Sequence, residues 1–140
     1  MNVRDVMTSN PRTVSPGDSI QNAARIMKDE DTGVVPIVEN GRLVGIVTDR
    51  DIVIRVVAGG GKCDGPVREI STKDLVFVKP DASTREAETI MSQRQIRRLP
   101  VVENDRLVGI ISLGDIAVKE GKDSQTGNTL ENISEGVKKH

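Results

Sequence analysis

The chain has 140 residues with 20 basic and 21 acidic side chains, a formal charge of −1. That balance lacks the positive excess that phosphate-backbone binding needs, and Phe77, the sole aromatic, offers no stacking platform for bases. One histidine, His140, and one cysteine, Cys63, argue against a histidine-based hydrolase, an internal disulfide and a thiolate metal cluster.

A short helix and a short strand open the chain, with no apolar stretch behind Met1 of the kind a signal peptide has. The next helix is predicted over 19–30, capped by Asp18 or Ser19, with Ile20, Ala23, Ala24 and Met27 on one face. Gly33 is expected to stop it, and the run Asp29-Glu30-Asp31 reads as a solvated charge cluster at its end. Residues 34–38 and 43–47 follow as apolar strands. They are joined by Glu39-Asn40-Gly41-Arg42, in which Asn-Gly is a strong hairpin signal. A helix over 49–58 closes this half.

From Gly59 to Pro66 the chain reads as a flexible glycine-rich linker, with Cys63 as an exposed thiol. Then the pattern returns. With a fixed offset of 64 and no gaps, about twenty of the fifty residues from 3 to 52 recur between 67 and 116. Ser83-Thr84-Arg85-Glu86 reads as a capping box for a helix carrying Ala87, Ile90 and Met91 inward. Asn104-Asp105 occupies the second turn, and a last helix spans 113–120. The divisions are 1–60 for the first repeat, 61–66 for the linker, 67–121 for the second repeat and 122–140 for a polar tail. In that tail Leu130, Ile133 and Val137 could form a weak apolar edge.

A unit of this size cannot easily bury its own apolar face, so the repeats are expected to pack about a pseudo-twofold axis, creating two equivalent clefts. The fold class is α/β (α+β), each repeat a small sheet flanked by helices. The chemistry falls where each second strand meets its helix: Thr48-Asp49-Arg50-Asp51 and Ser112-Leu113-Gly114-Asp115. A hydroxyl followed three residues later by a carboxylate can be a plain N-cap. It can also bind: helix N–H groups suit phosphate, and a carboxylate accepts hydrogen bonds from two vicinal hydroxyls.

The repeated Leu-Val-Gly-Ile, the Val-Val-Pro-Ile-Val and Leu-Pro-Val-Val strands, and Thr-Asp-Arg-Asp-Ile with Ser-Leu-Gly-Asp-Ile at the helix starts resemble a tandem pair of CBS domains, a Bateman module. The resemblance covers nearly all of 1–121, and is to the small stand-alone members. It implies a non-catalytic regulatory module binding AMP, ADP or ATP, or S-adenosylmethionine or NAD-type molecules. By the same resemblance Asp51 and Asp115 take ribose hydroxyls, Thr48 and Ser112 take ribose or phosphate, and the backbone around Val34, Val35, Pro36, Leu99 and Pro100 reads adenine. Arg97 and Arg98 resemble phosphate-facing residues; their counterparts Gly33 and Val34 carry no charge, and Arg50 could serve the first site instead. The plainer reading leaves both arginines solvated or paired with Glu103 or Asp105.

The resemblance further implies a homodimer with no required cofactor, the regulated protein binding in trans; the single cysteine fits a reducing cytoplasm, and the charge balance and the lack of a long apolar run point to neither nucleic acid nor membrane as partner. Two rival readings stand beside it. One is a structural or partner-binding module whose motifs are only caps; the other is a small nucleotidase using Asp51 or Asp115 as base, against which the lack of a neighbouring acid, histidine or metal cluster speaks.

Overall fold

The computed structural model describes residues 1–121. The apolar edge expected on Leu130, Ile133 and Val137 lies outside the described residues. The chain divides into two bodies. The first comprises Arg12–Leu75 with Asn104–Leu107; the second comprises Met1–Pro11, Val76–Glu103 and the described residues from Val108 onward.

In the first body, helix α1 (Ile20–Glu30) starts at Ser19, whose Oγ accepts the Asn22 N–H at 3.0 Å. Asp18 does a different job: its Oδ2 accepts the Ser15 N–H at 2.8 Å and closes the turn before the helix. The helix ends on Asp31 in the left-handed conformation (φ 50°), so Gly33 is not its stop. Asp tolerates this conformation better than most side chains, and the Asp31 N–H bonds the Met27 carbonyl. The acidic run is only partly solvated, because Arg12 pairs with Asp29 at 3.5 Å and Glu30 at 3.6 Å. Both pairs are half exposed and contribute little. Ile20, Ala23, Ile26 and Met27 face the core, so Ile26 takes the buried role expected of Ala24.

Strands β2 (Val34–Glu39) and β3 (Arg42–Thr48) form the expected hairpin. Asn40 (φ 54°) and Gly41 (φ 80°) both lie in the left-handed region, as a type I′ turn requires. Helix α2 (Asp49–Ile52) follows and widens into a π-helical turn over Val53–Val57, where the Ala58 N–H reaches back to the Val53 carbonyl at 2.8 Å.

The segment expected to be a loose linker is partly docked. The first N–H groups of a helix lack partners within it. Here the Ile20 and Gln21 N–H groups bond the carbonyls of Gly65 (2.9 Å) and Cys63 (2.8 Å). Cys63 is consequently half-buried against the apolar cluster instead of exposed.

In the second body, β1 (Thr8–Ser9) pairs antiparallel with β5 (Arg106–Ser112), setting Thr8 opposite Ile110 and Ser9 opposite Gly109. Strand β4 (Arg98–Glu103) pairs with β5 across a turn in which Asn104 and Asp105 both have positive φ. Helix α3 (Thr84–Arg94) makes the Ser83 half of the predicted capping box, Ser83 Oγ accepting the Glu86 N–H at 3.1 Å. It ends on Gln95, also left-handed, at the position equivalent to Asp31. Helix α4 (Leu113–Gly121) completes the set.

The cores show an exchange of arms. Val3, fully buried, belongs to the cluster of Val78, Ala87, Met91, Leu99, Val101, Ile111 and Ile116. Val67, its equivalent and also fully buried, belongs to the cluster of Val14, Ile20, Ala23, Val35 and Val47. The opening turn of each repeat (Val3–Asp5 and Val67–Glu69) thus completes the core built by the helix and strands of the other.

Candidate functional site

Each body brings the predicted binding residues of one repeat together at a strand-to-helix corner. In the first, the β2–β3 register sets Val34 opposite Thr48, and the Asp49 N–H donates to the Gly33 carbonyl at 2.9 Å. Thr48 ends the strand as N-cap: its Oγ1 accepts the Asp51 N–H at 3.0 Å, while Asp51 Oδ2 accepts the Thr48 N–H at 2.9 Å. The second Asp51 oxygen lies 3.8 Å from Arg55 Nε, and Arg55 Nη1 donates to the Ile70 carbonyl at 3.5 Å. With Asp51 only 9% exposed, its carboxylate is held by its own backbone on one side and a guanidinium on the other. This is the geometry of the capping reading.

In the second body the Leu113 N–H donates to the Arg97 carbonyl at 2.9 Å, and Ser112 Oγ accepts the Asp115 N–H at 3.0 Å. These repeat the Gly33–Asp49 and Thr48–Asp51 contacts residue for residue. The return bond does not close among the described residues: the half-buried Asp115 carboxylate accepts nothing from the Ser112 N–H. Gly114 stands where the first repeat has the exposed Arg50.

The residues expected to read adenine divide by burial. Val35, Pro36, Leu99 and Pro100 are buried, so their side chains serve the core. The Pro36 and Pro100 carbonyls accept the Val14 and Val78 N–H groups, each at 3.1 Å. Val34 and Arg98 are half-buried at the corner. The Val34 amide and carbonyl both face the Thr32 hydroxyl, at 3.4 and 3.3 Å. Ile96 replaces Thr32 in the second repeat and cannot make that contact.

Three residues of this corner escaped the sequence reading: Thr32, Arg55 and Asp49. Arg55 was legible as the i+4 partner of Asp51. Asp49 was not, because its position depends on the tertiary approach of Gly33. A Cβ added to Gly33 would sit 3.0 Å from Asp49 Oδ2, so a carboxylate occupies the space into which Arg97 would project its side chain in the other repeat. The first corner therefore carries Asp49 and Asp51 with Arg50 and Arg55, of which Arg55 lies 3.8 Å from Asp51, whereas the second has Leu113 and Gly114 in place of Asp49 and Arg50 and has Arg97 and Arg98 where the first has Gly33 and Val34. Among the described residues no three His, Cys, Asp or Glu side chains converge as metal ligands, and no helix is long and apolar enough to cross a membrane.

Comparison with known proteins agrees with this architecture. The sequence model of the CBS domain matches residues 3–58 and 67–119. The CBS domain-containing protein YhcV of Bacillus subtilis is 46% identical over 132 residues, 94% of each chain. The crystal structure of hypoxic response protein I with two coordinated zinc ions is 35% identical, with a TM-score of 0.78 over 84% of this chain and 98% of that one. The CBS domain pair of protein MJ0100, in complex with 5′-methylthioadenosine and S-adenosylmethionine, is 30% identical; the TM-score is 0.79 over 89% of this chain and 98% of that one.

Proposed function

The chain belongs to the CBS-domain family, and from that premise we propose that it is a non-catalytic sensor of adenosine-containing ligands, with one binding corner per repeat. The observation that carries this reading is the duplicated hydroxyl-x-x-carboxylate corner, present with the same backbone contacts in both repeats. The adenosine-type ligands of the MJ0100 pair support the ligand class. Asp51 and Asp115 are the ribose acceptors, and Thr48 and Ser112 orient them. Val34 and Arg98 present backbone to the base, and Val35, Pro36, Leu99 and Pro100 form the floor beneath it.

The corners differ in charge, and so in ligand. Arg97 and Arg98 favour a phosphorylated ligand such as AMP, ADP or ATP at the second corner. Asp49 beside Gly33 disfavours phosphate at the first. Its ligand is an uncharged or cationic adenosyl compound such as S-adenosylmethionine, with Arg50 turned to solvent. A ligand that favours one arrangement over another transmits a signal by that affinity difference alone.

The closed Thr48–Asp51 box favours a second reading for the first corner, in which it is only a helix cap. A thermal-shift panel of adenosine, AMP, ATP, S-adenosylmethionine and NADH separates the two. A ligand at 100 times its Kd stabilises by about 2.7 kcal/mol. Loss of the shift in Asp51→Ala or Asp115→Ala supports the ribose assignment, and a shift that survives both sinks it.

Val53, Ile54 and Val57 on the π-helical turn are 54%, 55% and 61% exposed, an apolar stripe that supports a homodimer. Sedimentation of Ile54→Asp beside the wild type tests it. The single cysteine fits a reducing cytoplasm, where the regulated protein would bind in trans.

A further inference from the structure

From the tips of the hairpins in the first body we infer a second binding site, an oxyanion site built by Arg42 and Arg106 for a small molecule bearing phosphate groups. It lies at the far end of β3 from Thr48, so it shares no residue with the corners described above. Residues Asn104–Leu107 belong to the first body, and there Arg106 of β5 pairs antiparallel with Arg42 of β3, the two directly opposite in register. They are also equivalent positions of the two repeats, separated by the offset of 64.

Like charges directly opposite on neighbouring strands are unfavourable, and a sequence that sets two guanidinium groups there leaves a cost for something to offset. Glu39 is the cross-strand partner of Arg42, yet among the described residues neither arginine forms an ion pair with any carboxylate. Gly41 makes the arrangement possible: it has no side chain, and an added Cβ would run into the Arg106 guanidinium, which lies over the turn. The Gly41 carbonyl accepts the Leu107 N–H at 3.4 Å and holds the two tips in this register.

The result is a depression of about 420 Å³ lined by Glu39, Asn40, Arg42, Val44 and Arg106. Two forked guanidinium donors and the Asn40 amide face one space, a donor set suited to a multidentate oxyanion. Two guanidinium forks and an amide outnumber the single rim carboxylate of Glu39, and their several N–H donors match the oxygens of a phosphate better than the two of a carboxylate, so the fitting class is a compact mono- or diphosphate group.

The test uses the full chain, with pyrophosphate and inorganic phosphate as probes and sodium chloride at matched ionic strength as control. Calorimetric titration should give saturable binding of one pyrophosphate per chain, weakened at least tenfold by Arg42→Gln and by Arg106→Gln. Both residues are exposed, and circular dichroism of the variants verifies the fold. Without anion each variant should melt above the wild type, because the facing charges are gone; with pyrophosphate that order should reverse. Asp115→Ala and saturating adenosine, which carries no phosphate, should leave pyrophosphate binding unchanged, so this site can fail or stand apart from the nucleoside corners. The inference is overturned if chloride reproduces the stabilisation. It is equally overturned if both glutamine variants bind as the wild type does, or if Arg97→Gln with Arg98→Gln abolishes binding, since the anion would then sit at the second corner.

Discussion

The two strand-to-helix corners share a backbone and differ in what their side chains have left to give. In the first repeat, Asp51 has one oxygen on the Thr48 N–H and the other near Arg55, and Thr32 faces both polar backbone groups of Val34. In the second, Gly114 and Ile96 replace Arg50 and Thr32, and among the described residues the Asp115 carboxylate accepts no return bond from the Ser112 N–H. A group already satisfied must give up a partner before it takes a ligand, and the net gain of that exchange is small. The second corner should therefore be the tighter one, and the first should answer at higher ligand concentration.

The sharpest way to break this comparison is to remove each acid in turn. Asp115→Ala should abolish most of the ATP-induced stabilisation, up to about 2.7 kcal/mol at 100 times Kd, while Asp51→Ala should leave most of it. Equal losses in a thermal-shift titration would show that the internal contacts of Asp51 do not matter. Next come the equivalent glycines. A Cβ on Gly109 would lie 2.7 Å from Met7 Sδ and 2.8 Å from the Thr8 carbonyl, so Gly109→Ala must push β1 away, at about 1–3 kcal/mol. The same change at Gly45 meets the Thr72 carbonyl at 3.4 Å and should cost less than half as much by urea denaturation.

Without ligand, Asp51→Ala should cost about 1 kcal/mol for its cap, and Asp115→Ala distinctly less. The smallest effect separates Glu88 from its counterpart Ala24. Glu88 Oε1 is buried with no hydrogen-bond partner among the described residues; burial and then the charge of Glu120 raise its pKa above 4.5, against a smaller lowering by Arg85. A carboxyl whose pKa is raised on folding stabilises when protonated and loses that contribution as pH climbs through the folded value. Glu88→Gln should accordingly melt above the wild type at pH 7 by no more than about 0.5 kcal/mol, a gain that vanishes as the pH falls below 4.5.

Much of this was legible from residue order. Asn40-Gly41 and Asn104-Asp105 announced both turns, Ser19 and Ser83 both helix starts, and the offset of 64 paired equivalent turns and helix caps. The misreadings share one cause. Gly33 looked like a helix stop because glycine usually is one; its absent side chain instead makes room for Asp49, which no local pattern encodes. Cys63 looked exposed because its neighbours are glycines, yet the unpaired N–H groups of α1 draw that strand of chain inward. At the site, residue types were readable, but which acid already had partners was not, since Arg55 and Thr32 act through geometry.

Because Val3 completes one core and Val67 the other, a gene fragment cut at the glycines near position 60 would yield two halves, each missing a hydrophobic plug that the other carries. Such a half-length product should be rescued only by trading plugs with a second copy of itself. The contiguous part of the first body is instead 12–75, out of phase with the sequence repeat, and it is completed by 104–107.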